Sequence, residues 1–296
     1  MNLADVPIGD DAPCFIVAEL SCNHRGDLET ARQLVDAAAD AGASSVKFQL
    51  WLSPDDMTLD RDDSRFVLQG GPWKGRKLYD LYREAQTPKE WLPELFARAR
   101  DRGMVPFASA FSRASVDFLE TLDCPAYKVA SPELPWLDLI EYMGQTGKPL
   151  ILSTGSATWA ELNDAVDTVV GNFALLHCVS AYPAPVEDMN LLRLETLRDW
   201  FGVPVGLSDH SLGYVADIVA VTLGADIIEK HLMMGGDMLD STLDGGFSLD
   251  PPGFAAMVSA IRSAEASAGT SDWDDTLADK QAFRRRAIAG RWVRCG

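Results

Sequence analysis

Apolar residues along this chain gather in short, nearly continuous runs. Between the runs lie longer stretches in which apolar residues recur every three or four positions. The first four runs are Phe15–Leu20 (FIVAEL), Ser45–Leu50 (SVKFQL), Met104–Ser109 (MVPFAS) and Ala126–Ser131 (AYKVAS). Four more follow at Leu150–Thr154, Ala174–Val179, Val203–Leu207 and Asp226–His231. Runs with apolar side chains at both odd and even positions read as strands buried on both faces. The stretches between them predict helices over Leu28–Ala41, over the LPELFARARDRG segment ending on Gly103, and over Ala114–Leu122, Trp136–Gln145 and Thr158–Val170. Further helices are predicted over Leu191–Trp200, Leu212–Leu223 and Pro252–Ala268. Glycines at 42, 103, 147 and 224 close several of them, and Pro88 stands where the second could begin. One long polar insertion, Trp51–Thr87, interrupts the rhythm.

Eight strands that alternate with helices imply parallel pairing. Eight units predict closure into a single (β/α)8 TIM barrel over residues 1–270, with 271–296 as a C-terminal tail. Such a barrel needs about 250 residues, which the length allows. A doubly wound open sheet is the alternative, but no glycine-rich dinucleotide fingerprint follows any strand.

Composition narrows the function. Hydrophobic residues are 47% and charged residues 24%, as in an ordinary globular chain. Asp plus Glu is 44 against 26 for Lys plus Arg, a net charge of −18. That excess argues against nucleic acid and against an anionic membrane surface as partners. Residues 1–13 are polar and acidic rather than a signal peptide, and no apolar run approaches the roughly 20 residues of a membrane helix. The five cysteines, Cys14, Cys22, Cys124, Cys178 and Cys295, are odd in number and widely spaced. Reduced thiols and a cytoplasmic location are expected.

Barrel enzymes work at the C-terminal ends of their strands. The polar residues there are Glu19, Asn23 and His24 after the first run, Lys47 and Gln49 in the second, and Ser109 in the third. The fourth and fifth contribute Lys128, Ser131, Ser153 and Thr154; the sixth leads through His177 to Ser180 and Tyr182. The last two end in Ser208-Asp209-His210 and Glu229-Lys230-His231. Alternate strand residues share a face, so Lys47 goes with Gln49 and Glu229 with His231. A buried lysine is costly unless an anion meets it. Singly, Lys47 or Lys128 could pair with Glu19 or Glu229 as a structural ion pair. Together, with serines at neighbouring strand ends, they form a cradle for phosphate and carboxylate. His210 and His231 end adjacent strands and can converge, and two neutral imidazoles plus waters make a divalent metal site. His24 and His177 read as structural. Tyr182, before Pro183-Ala184-Pro185, is a rigid loop exit or a ligand contact. The scattered tryptophans read as packing residues, and Arg284, Arg285 and Arg286 as a solvated helix face.

These segments, AELSCNHRG, VKFQLW, LYREAQTPKEW, YKVAS, LSTGSAT, HCVSAYPAP, GLSDHSLG and GADIIEKH, resemble the N-acetylneuraminate (sialic acid) synthase family, and several details resemble its pseudaminic acid synthase branch. The resemblance runs from about residue 13 to 290. It implies condensation of phosphoenolpyruvate with a hexosamine-type sugar aldehyde, giving a nonulosonic-acid-like 2-keto-3-deoxy acid plus phosphate. It implies a divalent metal, Mn²⁺ or Mg²⁺, on His210 and His231. It assigns Lys128, Ser109, Ser131 and Ser153 to the phosphate and Lys47, Ser180 and Ser208 to the carboxylate, with Glu19, Gln49, Tyr182 and Glu229 as catalytic positions. Glu19 or Glu229 would serve the attacking water. Ser180 stands where sialic acid synthases carry Asn. Family members continue into an antifreeze-like domain that reaches across a dimer to the sugar, and FRRRAIAGRWVRCG stops at that junction. The expectation is a barrel without that lid. Acceptor contacts would then come from the insertion, which carries Arg61, Arg65, Trp73, Lys74 and Arg76, or from a separate partner protein, and a homodimer is left open. The alternatives are the same chemistry on another aldehyde, a Schiff-base aldolase using Lys128, and a non-catalytic binding homologue.

Overall fold

The computed structural model describes residues 1–9, 12–236 and 243–269, with the backbone of 287–288 and 291–292. Eight strands form the framework: β1 (Phe15–Glu19), β2 (Ser45–Leu50), β3 (Val105–Ala110), β4 (Tyr127–Val129), β5 (Leu150–Ser153), β6 (Phe173–Cys178), β7 (Val205–Asp209) and β8 (Ile227–His231). Each pairs in parallel with the next, and β8 returns to β1, so the sheet is a closed barrel. An open doubly wound sheet is excluded. The helices are α1 (Leu28–Asp40), α2 (Leu78–Ala85), α3 (Leu92–Asp101), α4 (Arg113–Glu120), α5 (Leu137–Gly144), α6 (Trp159–Thr168), α7 (Arg193–Phe201), α8 (Val215–Thr222) and α9 (Pro251–Ala268). An N-terminal hairpin, Asn2–Leu3 with Val6–Pro7, precedes β1 and buries Leu3 and Ile8.

Local chemistry starts and stops these elements. Asp27, Ser112 and Asp250 cap α1, α4 and α9 by accepting a backbone N–H of the first turn, and Thr158 and Glu161 form a reciprocal capping box on α6. Gly202 ends α7 at a φ of 63°, the left-handed region that glycine enters without strain. Strand residues alternate between the barrel interior and the helical layer. Phe48 stacks on Phe96 of α3 at 5.4 Å, while Lys47 and Gln49 on either side line the interior cavity. Each such fully buried aromatic or aliphatic side chain contributes about 1.5–3 kcal/mol.

Several boundaries differ from the sequence expectation by a residue or more, and three of them have a local cause. Strand β4 stops at Val129 because Ser131-Pro132-Glu133 turns into a 3-10 segment and proline cannot donate to a ladder. Strand β7 starts at Val205 rather than Val203: Pro204 has no N–H, and the Val205 N–H goes to Asp226 Oδ2 at 2.9 Å. It therefore extends through Ser208 to Asp209. Helix α8 starts at Val215, after Gly213 at a φ of 71°. The polar insertion is structured: 3-10 turns at Pro54–Asp56 and Ser64–Phe66 lead into α2, a helix the sequence reading did not predict. Its LYDLYREA pattern carried the signal. The tail side chains Arg284, Arg285, Arg286 and Cys295 lie outside the described residues. Among the described residues no helix is long and apolar enough to cross a membrane.

Candidate active site

A cavity of about 290 Å³ opens at the C-terminal end of the barrel. Register brings its floor together: His231 pairs with Glu19, Glu19 with Lys47, Gln49 with Ser109 and Ser109 with Lys128 across successive strands. Every candidate site residue except Ser180 lines the cavity. Ser180 sits just behind, its hydroxyl 3.3 Å from Ser131 Oγ and 3.0 Å from Ser156 Oγ. Gly155 lies against it, and a Cβ there would stand 2.8 Å from Ser180 Oγ and 2.6 Å from Cys178 Sγ.

The two lysines have different surroundings. Lys47 Nζ lies 2.7 Å from Glu19 Oε2 and 2.9 Å from Glu229 Oε1. Burial pushes the ammonium down to about 8 against the pull of Glu229, so it remains charged at neutral pH. Burial also opposes ionisation of Glu229, but Lys47 and Lys128, with hydrogen bonds from Lys47 and Ser208, outweigh it and hold the carboxyl at about 2. Ser208 Oγ donates to Glu229 Oε1 at 2.8 Å. Glu19 is occupied on its other side, where Oε1 accepts from the Ser21 N–H at 2.7 Å and from Gln49 Nε2 at 3.4 Å. Lys128 Nζ meets only neutral groups, Ser153 Oγ at 2.6 Å and the Val129 carbonyl at 3.1 Å. No carboxylate pairs with it among the described residues. Among the described residues Ser109 Oγ, Glu229 Oε2 and Glu19 Oε2 are buried without a hydrogen-bond partner, although Glu19 Oε2 has its ion pair with Lys47.

His210 and His231 face each other with ring centroids 5.4 Å apart. Burial pushes His210 down to about 4. It pushes His231 well below the ordinary value, helped by His210 and Lys47. Both are neutral at pH 7. His210 Nδ1 lies 3.2 Å from the Val179 carbonyl, which can only accept, so Nδ1 carries the proton and Nε2 keeps its lone pair. His231 Nδ1 is buried with no hydrogen-bond partner among the described residues, 3.6 Å from Asp244 Oδ2. Two neutral imidazoles with free lone pairs fit a divalent metal. No group of three His, Cys, Asp or Glu suited to a metal occurs among the described residues, so water or substrate oxygens would have to complete the shell. Tyr182 packs on His210 at 4.6 Å and Phe247 on His231 at 4.9 Å.

The other two histidines point elsewhere. His24 Nε2 bonds Thr87 Oγ1 at 3.0 Å, and His177 Nε2 bonds the Met189 carbonyl at 2.6 Å. Lys230 also turns away from the cavity, its Nζ 2.5 Å from Asp209 Oδ2 and 2.7 Å from the Ser211 carbonyl. Arg61, Arg65, Lys74 and Arg76 are not in the cavity. Arg65 pairs with Asp63 and Arg76 with Glu84 on the outside of the insertion. Of the insertion residues that the sequence singled out, Trp73 lines the cavity and the four cations do not; with Trp73 the insertion brings Leu68, Leu78, Leu81, Tyr82 and Ala85. Two acidic residues escaped the sequence reading. Asp244 lines the cavity from the loop after β8, with its Oδ2 accepting from Ser21 Oγ at 2.5 Å. Glu133, in the turn after β4, has a buried, unpartnered Oε2 and is pushed up to about 7 by burial.

A model of the NeuB family matches residues 34–272. The chain belongs to the NeuB family. Pseudaminic acid synthase from Helicobacter pylori is 47% identical over 254 residues, 84% of this chain and 74% of that protein. Pseudaminic acid synthase from Campylobacter jejuni is 41% identical over 292 residues, 97% of this chain and 84% of the relative. Among solved structures, the N-acetylneuraminic acid synthetase of Leptospira borgpetersenii superposes with a TM-score of 0.84 at 29% identity, covering 96% of this chain and 94% of that one. All the cavity residues that the sequence analysis singled out except Glu19 fall inside the matched span of this NeuB-family chain. The Campylobacter likeness covers nearly the whole chain.

Proposed function

We propose that this NeuB-family chain condenses phosphoenolpyruvate with the aldehyde of a hexosamine-type sugar, releasing phosphate and a nonulosonic-acid-like 2-keto-3-deoxy acid, and that it requires Mn²⁺ or Mg²⁺. Lys128 carries the reading. It is a buried ammonium held by the Ser153 hydroxyl and the Val129 carbonyl, with no carboxylate partner among the described residues, and an anion is the group such a site lacks. The likeness to the two pseudaminic acid synthases supports the substrate pair.

The residues divide the work. Lys128, with Ser109, Ser131 and Ser153, holds the phosphate; Lys47, with Ser180 and Ser208, holds the carboxylate. A metal on His210 and His231 would supply a Lewis acid for the aldehyde oxygen. The methylene carbon of phosphoenolpyruvate forms the new bond to the aldehyde carbon, whose oxygen takes a proton and becomes a hydroxyl. The former enol carbon becomes electron-poor and accepts water, which gives up a proton. The tetrahedral carbon then re-forms a ketone as its bond to the phosphate oxygen breaks and its hydroxyl proton passes to the departing phosphate. Glu229 is ionised, and among the described residues its Oε2 has neither a hydrogen bond nor an ion pair, so it is the carboxylate that orients that water, whereas Glu19 Oε1 takes the Ser21 N–H and its Oε2 lies in the ion pair with Lys47. The phenol of Tyr182, pushed up by burial, stays neutral and frames the aldehyde beside Gln49. Holding two substrates in contact can lower a barrier by about 7–11 kcal/mol.

A cytoplasmic location fits the substrates and the four free, buried cysteines Cys14, Cys22, Cys124 and Cys178. Phosphate release from phosphoenolpyruvate with a panel of sugar aldehydes tests the proposal, and release with none of them refutes it. Borohydride should trap nothing. A trapped adduct on Lys128 would establish Schiff-base chemistry instead.

A further inference from the structure

The cavity has two unlike halves. Its floor is polar, made of the lysines, carboxylates and serines at the strand ends. Its far wall is apolar and comes from the insertion between β2 and α3. Helix α2 sets Leu78, Leu81, Tyr82 and Ala85 at the i, i+3, i+4, i+7 spacing of a single face, and all four line the cavity. A stripe of this kind normally packs into a hydrophobic core. Ala85 and Tyr82 do join the small cluster around Trp51 and Phe111. Leu78 and Leu81 belong to neither packed apolar cluster of the described residues, although Leu81 is buried. Their apolar surface is turned to the cavity instead.

Trp73 pins this wall in place. Its indole N–H donates to the Leu243 carbonyl at 2.9 Å, and its ring packs on Tyr182 at 5.5 Å, which in turn covers His210. Phosphoenolpyruvate is charged at both ends and has no alkyl group to offer such a surface. The insertion's own cations face outward, so the wall carries no charge for an anion. The second substrate must be the one that uses it.

We infer that the α2 stripe, centred on Leu78 and Leu81, is a specificity surface for a methyl-terminated substituent of the acceptor sugar, remote from its reacting aldehyde. The inference rests on the condensation reading above. That substituent is an acyl methyl or a deoxy carbon, and one experiment separates the two. The purified chain, loaded with Mn²⁺, is assayed for phosphate release with two matched acceptor pairs, N-acetyl against N-formyl and 6-deoxy against 6-hydroxy. The wild type should prefer the methyl-bearing member of at least one pair by roughly 10-fold in kcat/KM, the discrimination one methyl or methylene earns in a fitted pocket. Leu78→Asn and Leu81→Asn should abolish that preference through the acceptor KM and leave the KM for phosphoenolpyruvate unchanged, while Leu81→Met should stay close to wild type. The pair whose preference disappears identifies which methyl the wall holds. If Leu81→Asn fails to fold, the half-buried Leu78 position decides by itself. No preference in either pair, or preferences that survive both Asn variants, overturns the inference while the condensation reading stands. No phosphate release by the wild type with any acceptor overturns both.

Discussion

Replacing Lys128 with alanine removes the floor ammonium that, among the described residues, has no carboxylate beside it. Its Nζ is held by Ser153 Oγ and the Val129 carbonyl, and the residue is 2% exposed. The variant leaves behind a hydroxyl and a carbonyl, both neutral and both able to take a water. The bound anion, by contrast, loses a desolvated charge partner, a loss of about 2–5 kcal/mol. At about 1.4 kcal/mol per decade, phosphoenolpyruvate should bind roughly 30-fold to 4,000-fold more weakly. Lys47→Ala, which removes the ammonium assigned to the substrate carboxylate, is the comparison that adds a loss of stability. It strands Glu19 and Glu229, each within 3 Å of the lost ammonium, and breaking a buried pair costs about 3–5 kcal/mol of folding stability. Titration calorimetry with phosphoenolpyruvate and urea denaturation of both variants provide the comparison. Lys128→Ala should lose affinity and keep its fold, while Lys47→Ala should lose stability as well. Unchanged affinity in Lys128→Ala refutes the anion assignment. A stability loss equal to that of Lys47→Ala would mean that Lys128 serves the fold.

Three further outcomes are expected. EDTA should abolish phosphate release and Mn²⁺ restore it, and His210→Ala should lose far more activity than His177→Ala, whose ring is tied to the Met189 carbonyl; full turnover by metal-free protein rules the metal out. Gly155→Ala should impair folding as well as turnover, because the new Cβ would stand 2.6 Å from Cys178 Sγ, 2.8 Å from the Cys178 carbonyl and 2.8 Å from Ser180 Oγ beside the carboxylate cradle, and a Gly155→Ala variant with an unchanged urea midpoint and an unchanged KM for phosphoenolpyruvate would contradict this. His24 is held at about 4, mainly by burial, with its Nδ1 accepting from the Gly26 N–H at 3.0 Å; because its folded value lies below the ordinary 6.5, its contribution is complete above pH 6.5 and is lost as pH falls towards 4. That loss is on the order of 3 kcal/mol, and urea midpoints that fall equally in wild type and His24→Gln between pH 7.5 and 4.5 would show that His24 is not the titrating group.

The barrel and most of its floor could be read from the chain alone. Strands buried on both faces leave continuous apolar runs, and a charged residue inside such a run, as with Lys47, Lys128 or Glu229, stands out because burial there demands a partner. Three things could not be read locally. Which partner each charge takes depends on closure of the sheet: Lys47 meets Glu19 from β1 and Glu229 from β8 only because β8 comes back to β1. Asp244 and Glu133 sit in turns, where no periodicity marks a residue as buried, and only the packing of neighbouring loops over them does so. The insertion misled for a related reason. Its cations were conspicuous in the sequence, yet solvation kept them outside, and the surface it gives the site is the apolar face of α2. The spacing of Leu78, Leu81, Tyr82 and Ala85 was local information. That this face meets a cavity rather than a core was settled by where the tertiary structure anchors Trp73, against the Leu243 carbonyl far along the chain.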